Sequence, residues 1–425
     1  MALKQQNFDP IVSAKSWLSK EKTGWSQKTR ESALGRLSNI GLPSHRDEYW
    51  KYTNPAELIT EKPIVSQVAG LEDANVFSEI DVQKIVFCDG VFNSELSDSM
   101  ASENMSITKL SDIDDLHWAQ NYYGSLEKKG QIPVSRPLAA LNTAIASDGV
   151  LIHVKGNIDK PVLILGVHNT PSEAMLHHVI KVDKNCSLTL LESGAFATKL
   201  NTVMEVFLEQ GASFEHVRTQ GRDRDRWAAT HLFSDIQEKA KFKSFTLSAN
   251  GTLTRNECVL NLLGNDCTAH VAGASVGDGK KFHHDDTVFI THNAVACESR
   301  QVFKKVLRNG ATGVFQGKIL VKEGAQKTDG YQISQSLLLD DDSQFLAKPE
   351  LEIYADDVAC SHGSTSGAID EQALFYLCSR GISKKDATDM LTLAFLAEAV
   401  EEIENENIAS IIVEKITVWL SRRKN

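Results

Sequence analysis

Cys360 and His362 have the residue types and the spacing for metal chemistry. A thiolate and an imidazole suit iron, zinc or an iron–sulfur cluster. They follow a strand candidate, Leu351–Val358, and if the extended backbone continues, a two-residue period sets both side chains on one face. Two ligands do not complete a tetrahedral site. The others would come from elsewhere in the fold or from another chain. The plainer reading is a buried cysteine beside a surface histidine in a turn containing Gly363 and Gly367, and spacing alone leaves both open.

A second cluster holds His270, His283, His284, Asp285, Asp286 and His292. On a strand, His284, Asp286 and His292 share a face with Val288 and Ile290, which makes His284 the candidate metal ligand of this run. No helical or knuckle spacing enforces a site, and an exposed polar strand edge or a hydrogen-bonded rung accounts for the pattern as well. His177-His178 is a weaker case. The seven cysteines, at 88, 186, 258, 267, 297, 360 and 378, are scattered, odd in number and free of CxxC pairs. They read as thiols in a reducing compartment, most of them small core residues.

Other chemistry is missing from the sequence. There is no GxxxxGK[ST], so no ATP is expected to bind directly. There is no GxSxG elbow and no HExxH. Gly273–Gly279 reads as a loop, since it does not lead from a strand into a helix. Arg222–Arg226, with alternating charge, reads as a solvated loop or hairpin tip.

Three regions must position these residues. Residues 1–138 are mixed: Ser26 can cap a helix through Leu37 ended near Gly41-Leu42-Pro43, a Trp/Tyr-rich segment runs from Arg46 to Tyr52, and Lys84–Cys88 is a strand candidate. Residues 139–369 read as strand after strand: Val150–Val154, Val162–Val167, His178–Val182, Ser187–Glu192, Val203–Leu208, Lys241–Ser248 and Lys318–Val321. Small residues at 186, 212, 240 and 267 recur roughly every 27 positions, a solenoid spacing. Gly310-Ala311-Thr312-Gly313 looks like a later copy out of register. Each rung would bury its apolar face on its neighbours. Residues 370–425 switch to helix, with caps at Asp370 and Ser383 and a left-handed position at Gly381. Ala387, Met390, Leu391, Ala394 and Phe395 form one apolar stripe. Ile408, Ile411, Ile412, Ile416 and Trp419 form another, and Arg422, Arg423 and Lys424 suit a helix C-terminus.

Composition bounds the function. A net charge of −11 over 425 residues argues against a nucleic-acid binder. No apolar run approaches the ~20 residues of a membrane span, and the first residues lack a signal-peptide pattern. The expectation is a cytoplasmic protein with no membrane partner.

Three segments, Glu298–Lys304, Gly310–Gly317 and Lys327–Gly330, resemble the core signature of the SufB/SufD family. Lys348–Val358 with Cys360-Ser361-His362-Gly363, Leu374–Leu377, Ser379–Ile382 and Gly41–Thr53 are similar to its SufD-type members. The resemblance implies a right-handed parallel β-helix between helical ends, and a scaffold role without catalysis in iron–sulfur cluster assembly. It implies a heterodimer with a paralogous SufB chain and docking of the SufC ATPase on the C-terminal helices, here Arg380, Gly381, Met390, Leu391 and Phe395. The family's interfacial histidine falls at His362, with Cys360 beside it, where a transient cluster is proposed to form with a SufB cysteine. Reduced flavin in the complex and a homodimer of the isolated chain stay open. The His283–Asp286 run has no secure counterpart. No cysteine precedes Cys88, which favours the SufD type over a SufB-type primary cluster holder. A β-helix enzyme such as a polysaccharide lyase or acyltransferase is the other alternative, and it would require activity from the isolated chain.

Overall fold

The computed structural model describes residues 9–20, 24–59, 75–100, 103–113, 117–158, 160–220 and 226–421. Three short strands come first: β1 (Gln83–Cys88), β2 (Val91–Asn93) and β3 (Met105–Lys109). From Val150 the chain alternates between two sheets. One holds β4 (Val150–Val154), β6 (Glu173–Val182), β8 (Lys199–Leu208), β10 (Trp227–Ile236), β12 (Leu253–Leu262), β14 (His283–His292), β16 (Thr312–Val321) and β18 (Gln344–Ile353). The other holds β5 (Val162–Val167), β7 (Ser187–Gly194), β9 (Ser213–Gln220), β11 (Lys241–Ala249), β13 (Thr268–Asp278), β15 (Glu298–Arg308), β17 (Thr328–Leu338) and β19 (Val358–Gly367). Each strand pairs with the strand two along in sequence, so the chain coils as a parallel β-solenoid. The antiparallel pairs β1–β2 and β3–β4 close its first end.

The corners explain the repeat. Asn185, Gly211, Lys239, Asp266, Ala296 and Lys327 all have positive φ. Each donates its backbone N–H to a carbonyl one rung further on, from Asn185 to Gln210 through to Lys327 to Asp357. The next residue, Cys186, Ala212, Ala240, Cys267, Cys297 or Thr328, turns inward and is buried. Only a small side chain fits a corner that tight, so the sequence recurs there. Gly310-Ala311 is out of register because it enters β16, in the other sheet, at the opposite corner.

Helices flank the coil. They are α1 (Pro10–Lys20), α2 (Gln27–Ile40), α3 (Ala56–Ile59), α4 (Ser125–Lys129), α5 (Pro137–Ile145), α6 (Glu371–Ser379), α7 (Lys384–Val400) and α8 (Glu406–Ser421). The N-terminal helices cover the even-numbered sheet, where Tyr49, Leu126 and Ala139 pack on Val203, Phe233, Val259 and Phe289. The C-terminal pair covers the odd-numbered sheet, where Leu396, Val400, Ile408, Ile412 and Ile416 join Val217, Phe245, Val302 and Val306. Among the described residues no helix is long and apolar enough to cross a membrane.

Three sequence expectations change. Gly273–Gly279 is not a loop: Gly273 and Gly277 lie within β13, and a Cβ on either would press into Phe303 or Phe282. Ser26 precedes α2 without capping it, and its hydroxyl accepts from Arg30 Nε at 2.8 Å. The strand read from Leu351 to Val358 breaks at Tyr354–Asp357, which turns the last corner into β19. On α7 the buried residues are Ala387, Thr392, Leu396, Ala399 and Val400, so the apolar stripe read from the sequence meets the core only through Ala387 and leaves Met390 exposed. Residues 221–225 and 422–425 lie outside the described residues, while Arg226 is buried.

Candidate functional site: the open end of the solenoid

β19 runs unbroken from Val358 to Gly367, so Cys360 and His362 do share a face; no glycine turn intervenes. It pairs with β17 in parallel register, with Cys360 beside Gly330 and His362 beside Gln332. Ser364 and Ser366 accept across the same gap, from Ser334 at 3.0 Å and from Ser336 at 2.9 Å. That alternate set faces the lumen, the interior of the coil. Cys360 packs at the rim of a small cluster with Ile319, Leu351 and Val358. Half-burial pushes its thiol up, against a hydrogen bond from the Gly330 backbone. His362 is exposed.

The other side of this rung is bare. Among the described residues, no strand pairs with the outer edge of β18 or β19. β18 is only half-buried along most of its length and β19 is largely exposed, whereas β14 and β16 are mostly buried. Such an edge offers a row of free N–H and C=O groups to another chain. The last rung therefore combines a two-ligand half-site with an unpaired strand edge.

The histidine–aspartate run went elsewhere. His284 and Asp286 point into the lumen, where Lys305 donates to His284 Nδ1 at 2.9 Å and to Asp286 at 2.6 Å. Asn256 and Ser275 complete the set. Burial drives His284 down to about 3, so it is neutral. His292 sits at the far corner against Ser299 at 2.8 Å. His283 and Asp285 face out and bond Thr53, just after the Trp/Tyr-rich segment. His270 bridges Glu402 and Glu298 under the α7–α8 turn. The run is thus two hydrogen-bonded faces of one rung, not an exposed edge. Among the described residues no group of three or more His, Cys, Asp or Glu could hold a metal.

At the C-terminal end, Asp370 caps α6 through Gln372 and Ala373, Ser383 caps α7 through Asp386, and Gly381 takes a φ of 89° between them. α6 buries none of its residues. Phe375 is 77% exposed, Tyr376 57% and Met390 50%. Arg380 lies over the Tyr376 ring, Leu391 is half-buried, and Phe395 lies beneath Lys304. Of the apolar stripe read on α7, Met390 and Ala394 are therefore open, Leu391 and Phe395 are partly covered, and Ala387 is buried.

Sequence reading missed Gln301 and Gln332, fully buried on the lumen face of β15 and β17. Counting back one rung, about 30 residues, from His362 would have found Gln332.

Comparison with known proteins accounts for nearly the whole chain. Residues 1–164 match the family model described as SufBD protein N-terminal region, and residues 166–395 match SUF system FeS cluster assembly, SufBD core domain. The chain is 27% identical over 402 residues to the iron–sulfur cluster assembly protein SufD of Escherichia coli, covering 90% of each. It is 24% identical to SufD of Bacillus subtilis, covering 93% of this chain and 94% of that one. SufB of Bacillus subtilis is similar at 23%, over 95% of this chain and 81% of its own length.

Proposed function

The chain belongs to the SufBD family of iron–sulfur cluster assembly proteins, and from that premise we propose that it is a SufD-type scaffold subunit without catalysis of its own. It pairs with a SufB-type paralogue along the open rung. His362, and Cys360 beside it, supply one side of an interfacial site where a transient cluster is assembled as cargo. Ligands from the partner complete the coordination that two side chains cannot. A SufC-type ATPase docks on the free face of α6 and α7, through Arg380, Gly381, Met390, Leu391 and Phe395. Its movement pulls on α7, which is packed directly against the odd-numbered sheet, so the motion reaches the solenoid.

The observation that carries this reading is that Cys360 and His362 share one face of a strand whose outer edge is unpaired among the described residues. Co-expression with candidate paralogues and ATPases tests it. The chain should co-purify with one of each. His362→Ala should leave that complex intact and lower cluster formation about ten-fold or more. Normal cluster maturation in the variant would remove His362 from the site.

A further inference from the structure

Inside the last rungs lies an unexplained pair of side chains. Gln301 and Gln332 are 0% exposed, and none of their four amide atoms has a hydrogen-bond partner. Buried amides without partners are rare, and each calls for a physical reason. The two stand in register on neighbouring strands, and the next residue of the column is His362. Adjacent strands lie about 4.8 Å apart. Gln332 and His362 therefore stand side by side on the lumen face with no direct hydrogen bond between them, at a strand spacing that one water can bridge. The facing strand makes room for it: a Cβ on Gly317 would come 2.5 Å from Gln332 Oε1. Space plus several unsatisfied polar atoms is also what a buried water requires.

We propose that Gln332 is the positioning residue for His362: its amide oxygen holds the inward ring N–H of the imidazole through one bridging water, and leaves the other nitrogen free for iron. The inference rests on the reading of His362 as a ligand. A histidine that holds a metal needs a partner on its second nitrogen to fix tautomer and ring orientation. Ser334 and Ser336 already donate to Ser364 and Ser366, so on β17 Gln332 is the polar residue directly in register with His362. Gln301, one rung deeper, supplies the second amide against which the first, or its water, is held.

The test uses the full chain labelled with 15N-histidine at one fixed pH, with the His362 signal assigned by its loss in His362→Asn. The ring-nitrogen shifts report the tautomer without any metal. Wild type should show one tautomer. Gln332→Leu, which removes a buried unpartnered amide, should raise the unfolding midpoint yet leave His362 in a mixture of tautomers. Gln332→Glu, which keeps an acceptor, should restore the single form. Iron(II) binding by the assembled complex should weaken about 10- to 100-fold in Gln332→Leu. An unchanged tautomer in Gln332→Leu overturns the proposal, and is what a Gln301–Gln332 amide ladder with no link to His362 would give. Should Gln332→Leu fold poorly, Gly317→Ala displaces the same amide and reads the same tautomer. Cluster assembly that survives His362→Ala would sink the ligand reading instead, and the two failures are distinguishable.

Discussion

Lys305 has its ammonium inside the coil, 1% exposed, 2.6 Å from Asp286. A charge this deep is tolerated only because it is paired and hydrogen-bonded. His284 accepts from it as a neutral imidazole, kept neutral first by burial, with Lys305 adding to the effect against the pull of Asp286. Removing one partner strands the other, which typically costs about 3–5 kcal/mol, whereas replacing both with apolar groups is often neutral. Lys305→Met should therefore lower stability by about 3 kcal/mol or more in urea unfolding, and adding Asp286→Leu should recover most of it. If the double variant is no better than the single, the pair is not the reason Lys305 is there. The sequence foretold half of this site. Alternation along one strand set His284 and Asp286 on a common face, but Lys305 lies on the opposite sheet, where no local pattern could connect it. Gln332 was hidden in the same way. Its relation to His362 is a rung length, and rungs grow from roughly 27 to roughly 30 residues along the coil.

α7 shows what periodicity can and cannot decide about an element. It has apolar side chains on two faces, and the i, i+3, i+4 rule finds a stripe without saying which stripe meets the core. Packing chose Leu396, Ala399 and Val400, all 2% exposed or less, and left Met390 at 50%. The two faces should answer differently to substitution. Leu396→Ala, a cavity in a packed interface, should cost about 2–5 kcal/mol. Met390→Glu should leave the unfolding free energy in urea within about 0.5 kcal/mol, but abolish recovery of the ATPase partner in pull-downs. Retained ATPase binding by Met390→Glu would move the docking surface off this face. The other elements were legible to the degree that their ends carry punctuation. Strands from 150 to 321 were visible because Asn, Gly, Lys or Asp takes the left-handed corner and a small residue follows. The turn at Tyr354–Asp357 was not, because none of its residues takes the left-handed conformation that marks the other corners, so β18 and β19 read as one strand. Gly273 and Gly277 misled in the opposite sense: their absent side chains make room for Phe303 and Phe282 rather than for a bend.

At the scale of the whole molecule, the solenoid has no single centre, and most of its histidines are placed where water cannot follow. His178 and His292 are pushed down to about 4, in both cases by burial first. His177, His216 and His231 move in the same direction for the same reason. In the unfolded chain a histidine titrates near about 6.5. Between that value and about 4 the unfolded state binds protons that the folded state refuses, so stability rises with pH across this window and is lost on acidification. Above about pH 7 both states are neutral at these positions and the contribution is constant. Buried carboxylates act lower down. Burial raises Glu192 and Glu257, but His216 and Arg218, and Arg255 and Arg136, outweigh it and hold each at about 2. They begin to weaken the fold only below about pH 4.5, near where unfolded carboxylates titrate. The prediction is a urea midpoint that is flat above pH 7 and falls steadily from about pH 6.5 toward pH 4.5. Each buried histidine contributes up to about 1.4 kcal/mol per pH unit. His292→Gln should remove one such share of the slope while leaving the alkaline plateau level. A midpoint independent of pH down to 5 would mean that protonated imidazoles are accommodated at these buried positions, both in the lumen and, for His177 and His231, beneath the N-terminal elements that cover the even-numbered sheet.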